Sequence, residues 1–160
     1  MRIGITGHQN FENQSWVEAT MNDEFDNMKI ERGFSSLAVG ADQLFVRQLA
    51  QRAVPYTVIV PSAHYESTFE SAPDLAEYRR LLNEADSIVE LDNNTPSERA
   101  FYDAGLAVVD ASDLVVAVWN GKPAKGLGGT ADIVEYARSV AKPVVHLNPD
   151  QKEKLYYGSK

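Results

Sequence analysis

The chain has 160 residues, of which 44% are hydrophobic and 24% are charged, and its formal net charge is −8. These proportions are ordinary for a globular protein and exclude a disordered or fibrous class. The acidity argues against duplex nucleic acid as a partner, because phosphate contacts need clustered lysine and arginine. The absence of cysteine excludes disulfides, thiolate chemistry and cysteine-ligated metals.

The length predicts one domain, over residues 1–149, followed by a polar C-terminal tail at 150–160 that is either frayed or packed on a partner. No apolar run approaches the length of a membrane span, so no membrane partner is expected. The N-terminus reaches a glycine-rich turn too soon to hold the apolar core of a signal peptide. We therefore expect a cytoplasmic protein.

Short apolar runs alternate with helical patterns along the chain. The run at 114–119 is apolar without alternation, which is typical of a strand covered on both faces. Six strands are predicted, at residues 3–6, 36–39, 57–60, 87–91, 114–119 and 143–147. Because helical patterns separate these runs, the fold class predicted is α/β, a Rossmann-like, doubly wound and mostly parallel sheet of about six strands.

Five helices are predicted between the strands. Capping-box patterns at 15–18 and 95–98 predict where the first and fourth begin, the third spans about 74–84, and the fifth begins at Thr130. Their predicted buried stripes are Val17, Met21, Phe25 and Met28; Ala41, Phe45, Leu49 and Ala53; Leu75, Tyr78 and Leu82; Ala100, Ala104, Ala107, Val108 and Ala111; and Val134, Ala137 and Ala141.

The segments that follow the predicted strands are rich in small and hydrogen-bonding residues, whereas the connections from each helix to the next strand mostly lack this enrichment. In an open parallel sheet, ligands bind beyond the carboxyl ends of the strands, where the strand order reverses. This asymmetry predicts a site for a phosphate-bearing small molecule at residues 7–10, 40–42, 61–64, 92–95 and 120–130.

The glycine-rich loop before the fifth helix is the strongest element of this site. Its glycines allow close backbone approach, the first-turn amides and the helix dipole favour an anion, and Lys122 and Lys125 add charge. The alternative is a long turn with Thr130 as an ordinary N-cap. The spacing fits neither a P-loop nor the dinucleotide fingerprint. The candidate ligand-binding residues here are Asn120, Gly126, Gly128, Gly129, Thr130 and Asp132.

Two shorter turns complete the candidate binding site. Thr6, Gly7 and His8 end the first predicted strand, where they either approach a ligand or form a tight turn that leaves His8 exposed. Gly40, Ala41 and Asp42 begin the second helix, where the aspartate either orients a ribose or caps the helix. Trp119 either completes the core strand or stacks on a base.

Three carboxylates, Glu98, Asp132 and Glu135, are the candidates for a catalytic group. Glu98 is also explained by its capping-box pattern, and Asp132 by a favourable place near the helix dipole or opposite a sugar hydroxyl. The three histidines show no metal-binding spacing, so neither a metal site nor a cofactor is expected.

Residues 3–8, 40–42 and 128–130, in this order, resemble the SLOG superfamily, Rossmann-like domains that include the LOG phosphoribohydrolases, DprA-type proteins and nucleotide-sensing modules. The resemblance extends from Arg2 to about Pro149. It implies a nucleotide or nucleotide-derived ligand bound across the first-strand turn and the glycine loop. Since related domains commonly pair, a homo-oligomer, most simply a two-fold dimer, is also expected.

The chain departs from the LOG pattern at one position. LOG enzymes carry a catalytic glutamate three residues after the threonine of the glycine loop, where this chain has Ile133. Three hypotheses remain open: nucleotide binding or sensing; hydrolysis of an N-glycosidic bond with a non-standard carboxylate; and a protein-interaction domain with a vestigial pocket.

Overall fold

Strands and helices alternate along nearly the whole chain in the computed structural model, which describes residues 1–158. A 3₁₀ helix, Tyr65–Thr68, follows the third strand. The strands are Arg2–Gly7 (β1), Arg32–Ser35 (β2), Tyr56–Val60 (β3), Ser87–Glu90 (β4), Leu114–Val118 (β5), Val144–Asn148 (β6) and Glu153–Tyr157 (β7). The α-helices are Gln14–Asp26 (α1), Ala41–Gln51 (α2), Ala72–Asn83 (α3), Glu98–Ala111 (α4) and Thr130–Ser139 (α5).

The strands form one sheet in the order β4-β3-β2-β1-β5-β6-β7. Every neighbouring pair is parallel except β6 and β7, which confirms the predicted doubly wound, mostly parallel sheet. The chain builds outward from β1 in one direction through β2, β3 and β4, and in the other through β5 and β6. The strand order therefore reverses between β1 and β5, where Gly7 lies opposite Val118.

Helices cover both faces of the sheet. The larger hydrophobic cluster joins the sheet to α1, α2 and α3, with Val17, Phe45 and Tyr78 among its buried side chains. Two smaller clusters lie against α4 and α5 and contain Val108 and Val134. Most of the predicted helical stripes are thus core residues, as their spacing indicated.

The second strand lies four residues before its predicted position. Residues 36–39, predicted as the strand, form a loop at its carboxyl end, in which buried Leu37 has a φ of 57°. The Ser35 hydroxyl accepts a hydrogen bond from the Leu37 amide, and the Gln43 side chain donates to the Leu37 carbonyl. The apolar signal was therefore correct for burial and wrong for backbone conformation.

The predicted helix caps differ from the observed ones. Helix α1 follows Asn13, which has a φ of 55° and makes no side-chain cap bond, so the box at 15–18 does not form. Helix α4 is capped by Ser97, whose hydroxyl accepts from the Ala100 amide, rather than by Thr95. Gly129 rather than Thr130 precedes α5. Three predicted stripe residues, Met28, Ala53 and Ala141, lie beyond the ends of their helices, and Leu81 is more buried than Leu82.

Part of the segment predicted as a polar tail belongs to the sheet. Strand β7 pairs antiparallel with β6, and the Tyr157 hydroxyl lies 2.8 Å from Nδ1 of buried His146. Arg138 lies over the Tyr157 ring, and Lys154 pairs with Glu24. These residues are therefore not a frayed tail. They form an edge strand, which accounts for their polar side chains. The tail was predicted to residue 160, and its last two positions lie outside the described residues.

The helices of residues 1–158 are all too short or too polar to cross a membrane.

Candidate ligand-binding cavity

A cavity of about 740 Å³ opens at the carboxyl ends of β1, β2, β3 and β5. Small-molecule sites commonly have volumes of roughly 300–1,000 Å³ and occur where the strand order of such a sheet reverses. Its walls come from three places: the turn after β1, the loop between β2 and α2, and the long loop between β5 and α5. The 3₁₀ helix and α4 close the remaining side.

The turn after β1 packs tightly against its neighbours. A Cβ added to Gly7 would overlap the Ala41 side chain and lie 3.0 Å from the Val118 Cβ, so only glycine fits there. The His8 amide donates to the Val118 carbonyl at 3.0 Å, continuing the contact between β1 and β5. The backbone of this turn thus forms part of the cavity wall.

The His8 imidazole joins both ends of the long loop. Its Nε2 accepts a hydrogen bond from the Asn120 amide at 3.0 Å, and its Nδ1 lies 3.5 Å from the Thr130 hydroxyl. An Nε2 that accepts must carry no proton, so the neutral ring holds its proton on Nδ1 and can donate it to Thr130. His8 is therefore built into the site rather than being merely exposed.

The glycine loop leaves backbone donors open at the start of α5. Gly128 has a φ of 86° and its amide donates to the Asp132 carboxylate at 3.0 Å, while the Gly129 carbonyl accepts from the Asp132 and Ile133 amides. Within residues 1–158, the amides of Gly129, Thr130 and Ala131 have no protein acceptor. All three residues line the cavity. They form an anion-binding arrangement, because the positive end of the helix dipole coincides with free N–H groups.

Charges around this helix end also favour an anion. Lys122 and Lys125 line the cavity, and neither forms an ion pair with any residue of the described part of the chain. Asp132, which could repel a phosphate, instead turns toward the Gly128 amide and does not line the cavity. The loop thus holds its own carboxylate away from the open amides.

The turn at Gly40 has a different role, although its sequence looks similar. Gly40 has a φ of 89°, and a Cβ there would overlap the Gln9 carbonyl. The buried Asp42 carboxylate accepts hydrogen bonds from the Ser35 hydroxyl at 3.0 Å and the Ser36 amide at 3.1 Å. Burial raises the pKa of Asp42 to about 6, although these hydrogen bonds oppose the shift. Asp42 therefore shapes the 36–39 loop, a wall of the cavity, rather than capping α2.

Aromatic side chains form the wall on the side of β3. The Tyr65 ring centroid lies 5.4 Å from that of Phe69 and 6.3 Å from that of Phe101, and all three residues line the cavity. Burial raises the pKa of Tyr65, so its hydroxyl is neutral. The sequence reasoning missed this wall. Aromatic residues shortly after a predicted strand were a usable signal for Tyr65 and Phe69.

The structure gathers most of the predicted binding residues around the cavity. Thr6, Gly7, His8, Asp42, Asn120, Gly128, Gly129 and Thr130 line it. Gly40, Ala41, Gly126 and Asp132 do not line it: Gly40 and Ala41 pack against the turn after β1, Asp132 bonds the Gly128 amide, and Gly126 is exposed in the loop near Glu98. Trp119 does not face the cavity: its indole N–H donates to the Lys122 carbonyl and its ring packs against His146. Ser36 and Glu70 are lining residues that the sequence reasoning did not select.

The three candidate catalytic carboxylates lie outside the lining. Glu98 is exposed at the start of α4, where its carboxylate lies against Gly126, and Glu135 is exposed on α5. Asp132 is bonded to Gly128. In the described part of the chain, no three histidine, aspartate or glutamate side chains are grouped so that they could hold a metal ion.

Solved structures share this architecture. DNA processing protein A (DprA) from Streptococcus pneumoniae superposes with a TM-score of 0.64 at 14% identity, over 91% of this chain and 49% of that protein. DprA from Helicobacter pylori, described as having a unique single-stranded DNA binding mode, gives 0.62 at 14% identity, over 91% of this chain and 64% of its own. The protein TM1055 superposes with a TM-score of 0.57 at 14% identity, over 91% of this chain and 73% of its own.

The chain has a fold similar to those of DprA and TM1055. It spans about half the length of the S. pneumoniae protein, so the likeness concerns one part of that protein. No family model matches the sequence, and no curated protein matches it. The expected SLOG resemblance is thus confirmed at the level of the fold.

Proposed function

We propose that the DprA-like chain binds a nucleotide or nucleotide-derived ligand in the cavity beside β1, with its phosphate against the first turn of α5. One observation carries the proposal: a single cavity has acceptor-free amides and unpaired lysines on one wall and aromatic rings on another. A nucleotide is a small molecule that offers both an anion and a planar ring.

The anion side is supported by local charge rather than by the charge of the whole protein. The net charge of −8 repels phosphates at long range, but the Debye length is about 8 Å in physiological salt. Within that distance the Gly129, Thr130 and Ala131 amides and the two lysines attract an anion, and the opposing carboxylates among the lining residues are Asp42 and Glu70. A small anion in the cavity is therefore compatible with an acidic protein.

The aromatic side supports a base rather than an aliphatic group. Stacking of a base on an aromatic side chain contributes about 1–3 kcal/mol and is tolerant of base identity. Phe101 is partly exposed at this wall, whereas Tyr65 is buried behind it against Phe69 and Tyr78. Phe101 therefore offers the accessible ring face, and the buried rings fix its surroundings.

Binding rather than hydrolysis is the function proposed, because Glu98, Asp132 and Glu135 all lie outside the lining. The carboxylates that do line the cavity are Asp42 and Glu70. The Asp42 carboxylate already accepts hydrogen bonds from Ser35 and Ser36, so its role is to hold the loop that forms one wall of the cavity.

A thermal-unfolding screen with nucleoside monophosphates, diphosphates, the matching nucleosides and inorganic phosphate tests the proposal. A ligand at 100 times its Kd adds about 2.7 kcal/mol to the free energy of unfolding. We expect a nucleotide to stabilise the protein and its nucleoside to bind at least tenfold more weakly. Calorimetry then gives the Kd, and chromatography of the mixture checks for release of free base.

Gly129→Asp and Gly121→Asp are compared in this experiment. Both add one carboxylate to the same loop, but Gly129 lines the cavity and its added Cβ would lie 2.7 Å from the Ala124 Cβ, whereas Gly121 has a φ of 82° and the nearest atom to its added Cβ is the Asn148 amide nitrogen at 3.8 Å. We expect Gly129→Asp to abolish measurable nucleotide binding and Gly121→Asp to leave most of it. Equal affinity in two folded variants, or no nucleotide that stabilises the wild type, would contradict the proposal.

A further inference from the structure

Strand β4 is an edge strand with no cover on either face. It pairs with β3 alone, and all four of its residues are exposed. Ile88 and Val89 have exposed fractions of 53% and 48%, and they point to opposite faces because side chains alternate along a strand. Edge strands are normally protected by charge, proline or bulges at their centre. Here the centre is apolar.

The outer side of β4 offers hydrogen-bonding groups as well as apolar surface. At the carboxyl end of β4 the Leu91 amide donates to the Val60 carbonyl of β3 at 2.9 Å, in the register that pairs Val60 with Glu90. Because a strand uses alternate residues to bond one neighbour, Ser87 and Val89 bond β3, and the N–H and C=O groups of Ile88 and Glu90 face away from it. They can accept one more strand.

The charge around this edge has one sign. Residues 84–92 contain four acidic side chains, those of Glu84, Asp86, Glu90 and Asp92, and no lysine or arginine. Arg32 pairs with Asp86 at 2.7 Å and Arg80 with Glu84 at 3.5 Å. In the described part of the chain, Glu90 and Asp92 form no ion pair.

This charge pattern disfavours a second copy of the chain as the added strand. A two-fold axis perpendicular to the sheet pairs the two β4 strands antiparallel, with Ile88 opposite Ile88 or Val89 opposite Val89. The first register places Asp86 opposite Glu90, and the second places Asp86 opposite Asp92. Like charges directly opposite one another destabilise a strand pair.

We propose that β4 is a docking edge for an extended segment of a different protein, with apolar residues at its centre and lysine or arginine on both sides. The segment adds an eighth strand to the sheet: its backbone bonds Ile88 and Glu90, its apolar side chains cover Ile88 and Val89, and its basic residues face Glu90 and Asp92. Main-chain bonds give affinity in this mode, and side chains give specificity. The proposal does not depend on a ligand in the cavity.

Fluorescence anisotropy with a labelled heptapeptide, Lys-Arg-Val-Ile-Val-Arg-Lys, tests this docking edge. We expect saturable binding, at least tenfold weaker binding of the same peptide N-methylated at alternate residues, and none of a Glu/Asp-flanked version. N-methylation keeps the charge and removes only backbone donors. Equal binding of the methylated peptide, or no binding of the basic one, would overturn the proposal.

Two variants locate the binding. Ile88→Pro removes an outward-facing N–H without a bond to β3, which edge positions tolerate; we expect at least a tenfold loss of peptide affinity. Glu90→Lys/Asp92→Lys should reverse the preference, so that the acidic-flanked peptide binds and the basic one does not. If Ile88→Pro fails to fold, the charge reversal decides alone. Unchanged preference in the charge variant, or a wild-type dimer that Ile88→Pro dissociates, would overturn the proposed partner.

Discussion

Two glycine-containing turns at the same edge of the sheet, one at Gly40 and one at Gly128, have different energetics. Both glycines have positive φ, 89° and 86°, and both precede a helix whose first turn contains an aspartate. In the Gly40 turn, the Ala41 amide donates to the His8 carbonyl and Asp42 bonds the loop before it. In the Gly128 turn, Asp132 bonds only the Gly128 amide, and the next three amides remain open.

The difference shows that glycine content identifies a turn but not its use. The Gly40 turn is a support, since a side chain there would meet the Gln9 backbone and its aspartate is buried. The Gly128 loop uses fewer of its amides in bonds to the protein, and among residues 1–158 the amides of Gly129, Thr130 and Ala131 have no acceptor, which leaves them open for the ligand that we propose. Counting which backbone amides already have a protein acceptor therefore distinguishes a supporting turn from a candidate binding turn, and glycine content alone does not.

Gly40→Ala should give the largest effect on stability. The φ of 89° with ψ of −120° is a region that L-residues avoid, and the added Cβ would overlap the Gln9 backbone. Strain and overpacking together should lower the free energy of unfolding by about 4 kcal/mol, measured by urea denaturation.

Gly121→Ala is the control for backbone strain without crowding. Gly121 also has a positive φ, 82°, but the nearest atom to an added Cβ is 3.8 Å away. Its cost should be about 1–2 kcal/mol. Equal costs at the two positions would mean that contact with Gln9 does not make the Gly40 turn a support.

Asp42→Asn should remove a pH dependence of about 3 kcal/mol. The folded-state pKa of Asp42 is raised from 3.8 to about 6, so its contribution to stability is fully present below pH 4 and is lost as the pH rises through 6. The difference in unfolding free energy between wild type and Asp42→Asn should therefore decrease over this interval. Urea denaturation at pH 4, 5, 6 and 7 measures it.

Ser35→Ala checks the cause of that pH dependence. The Ser35 hydroxyl donates to the Asp42 carboxylate and stabilises its charged form, so its loss should raise the pKa further and move the transition to higher pH. A transition that moves to lower pH, or a wild type and Asp42→Asn with parallel pH profiles, would contradict the assignment.

Asp132→Asn should give the smallest change in stability. The amide oxygen of asparagine can still accept from Gly128, so the unfolding free energy should fall by about 0.5–1 kcal/mol. Although the Asp132 carboxylate turns toward Gly128 and does not line the cavity, its charge lies in the first turn of α5, so removing it should tighten binding of the proposed phosphate ligand severalfold, in calorimetry at low salt. Weaker binding would indicate that Asp132 contacts the ligand itself, for instance at a sugar hydroxyl.

The sequence predicted the fold well where burial and conformation agree. The run at 114–118 is both apolar and extended, and β5 lies there. The prediction failed at 36–39, where Leu37 is buried in a loop held by Ser35 and Gln43, and at β7, whose polar residues contact only one neighbour. Local sequence patterns indicate which residues are buried, whereas the pairing of strands that are distant in sequence decides which residues are extended.

The candidate site likewise has parts that the sequence predicts and parts that it does not. The glycine loop and the first-strand turn were predictable, because residues adjacent in sequence determine their backbone geometry. The sequence offered a signal for Tyr65 and Phe69 but none for their contact with Phe101, since Tyr65 and Phe101 come from opposite sides of β4 in the sequence and meet only through the α4 crossover. Likewise, no pattern in the sequence indicated that Asp132 would turn toward Gly128 rather than toward the cavity.

The His8 bridge has a consequence for the entropy of ligand binding. One imidazole holds the Asn120 amide and lies beside the Thr130 hydroxyl, so the two ends of the intervening loop are fixed before any ligand arrives. The entropic cost of bringing the two ends of the loop together is already part of folding, so a ligand would have to order only the middle of the loop. Affinity for the proposed ligand should therefore depend in part on a histidine in the turn after β1, outside the loop itself.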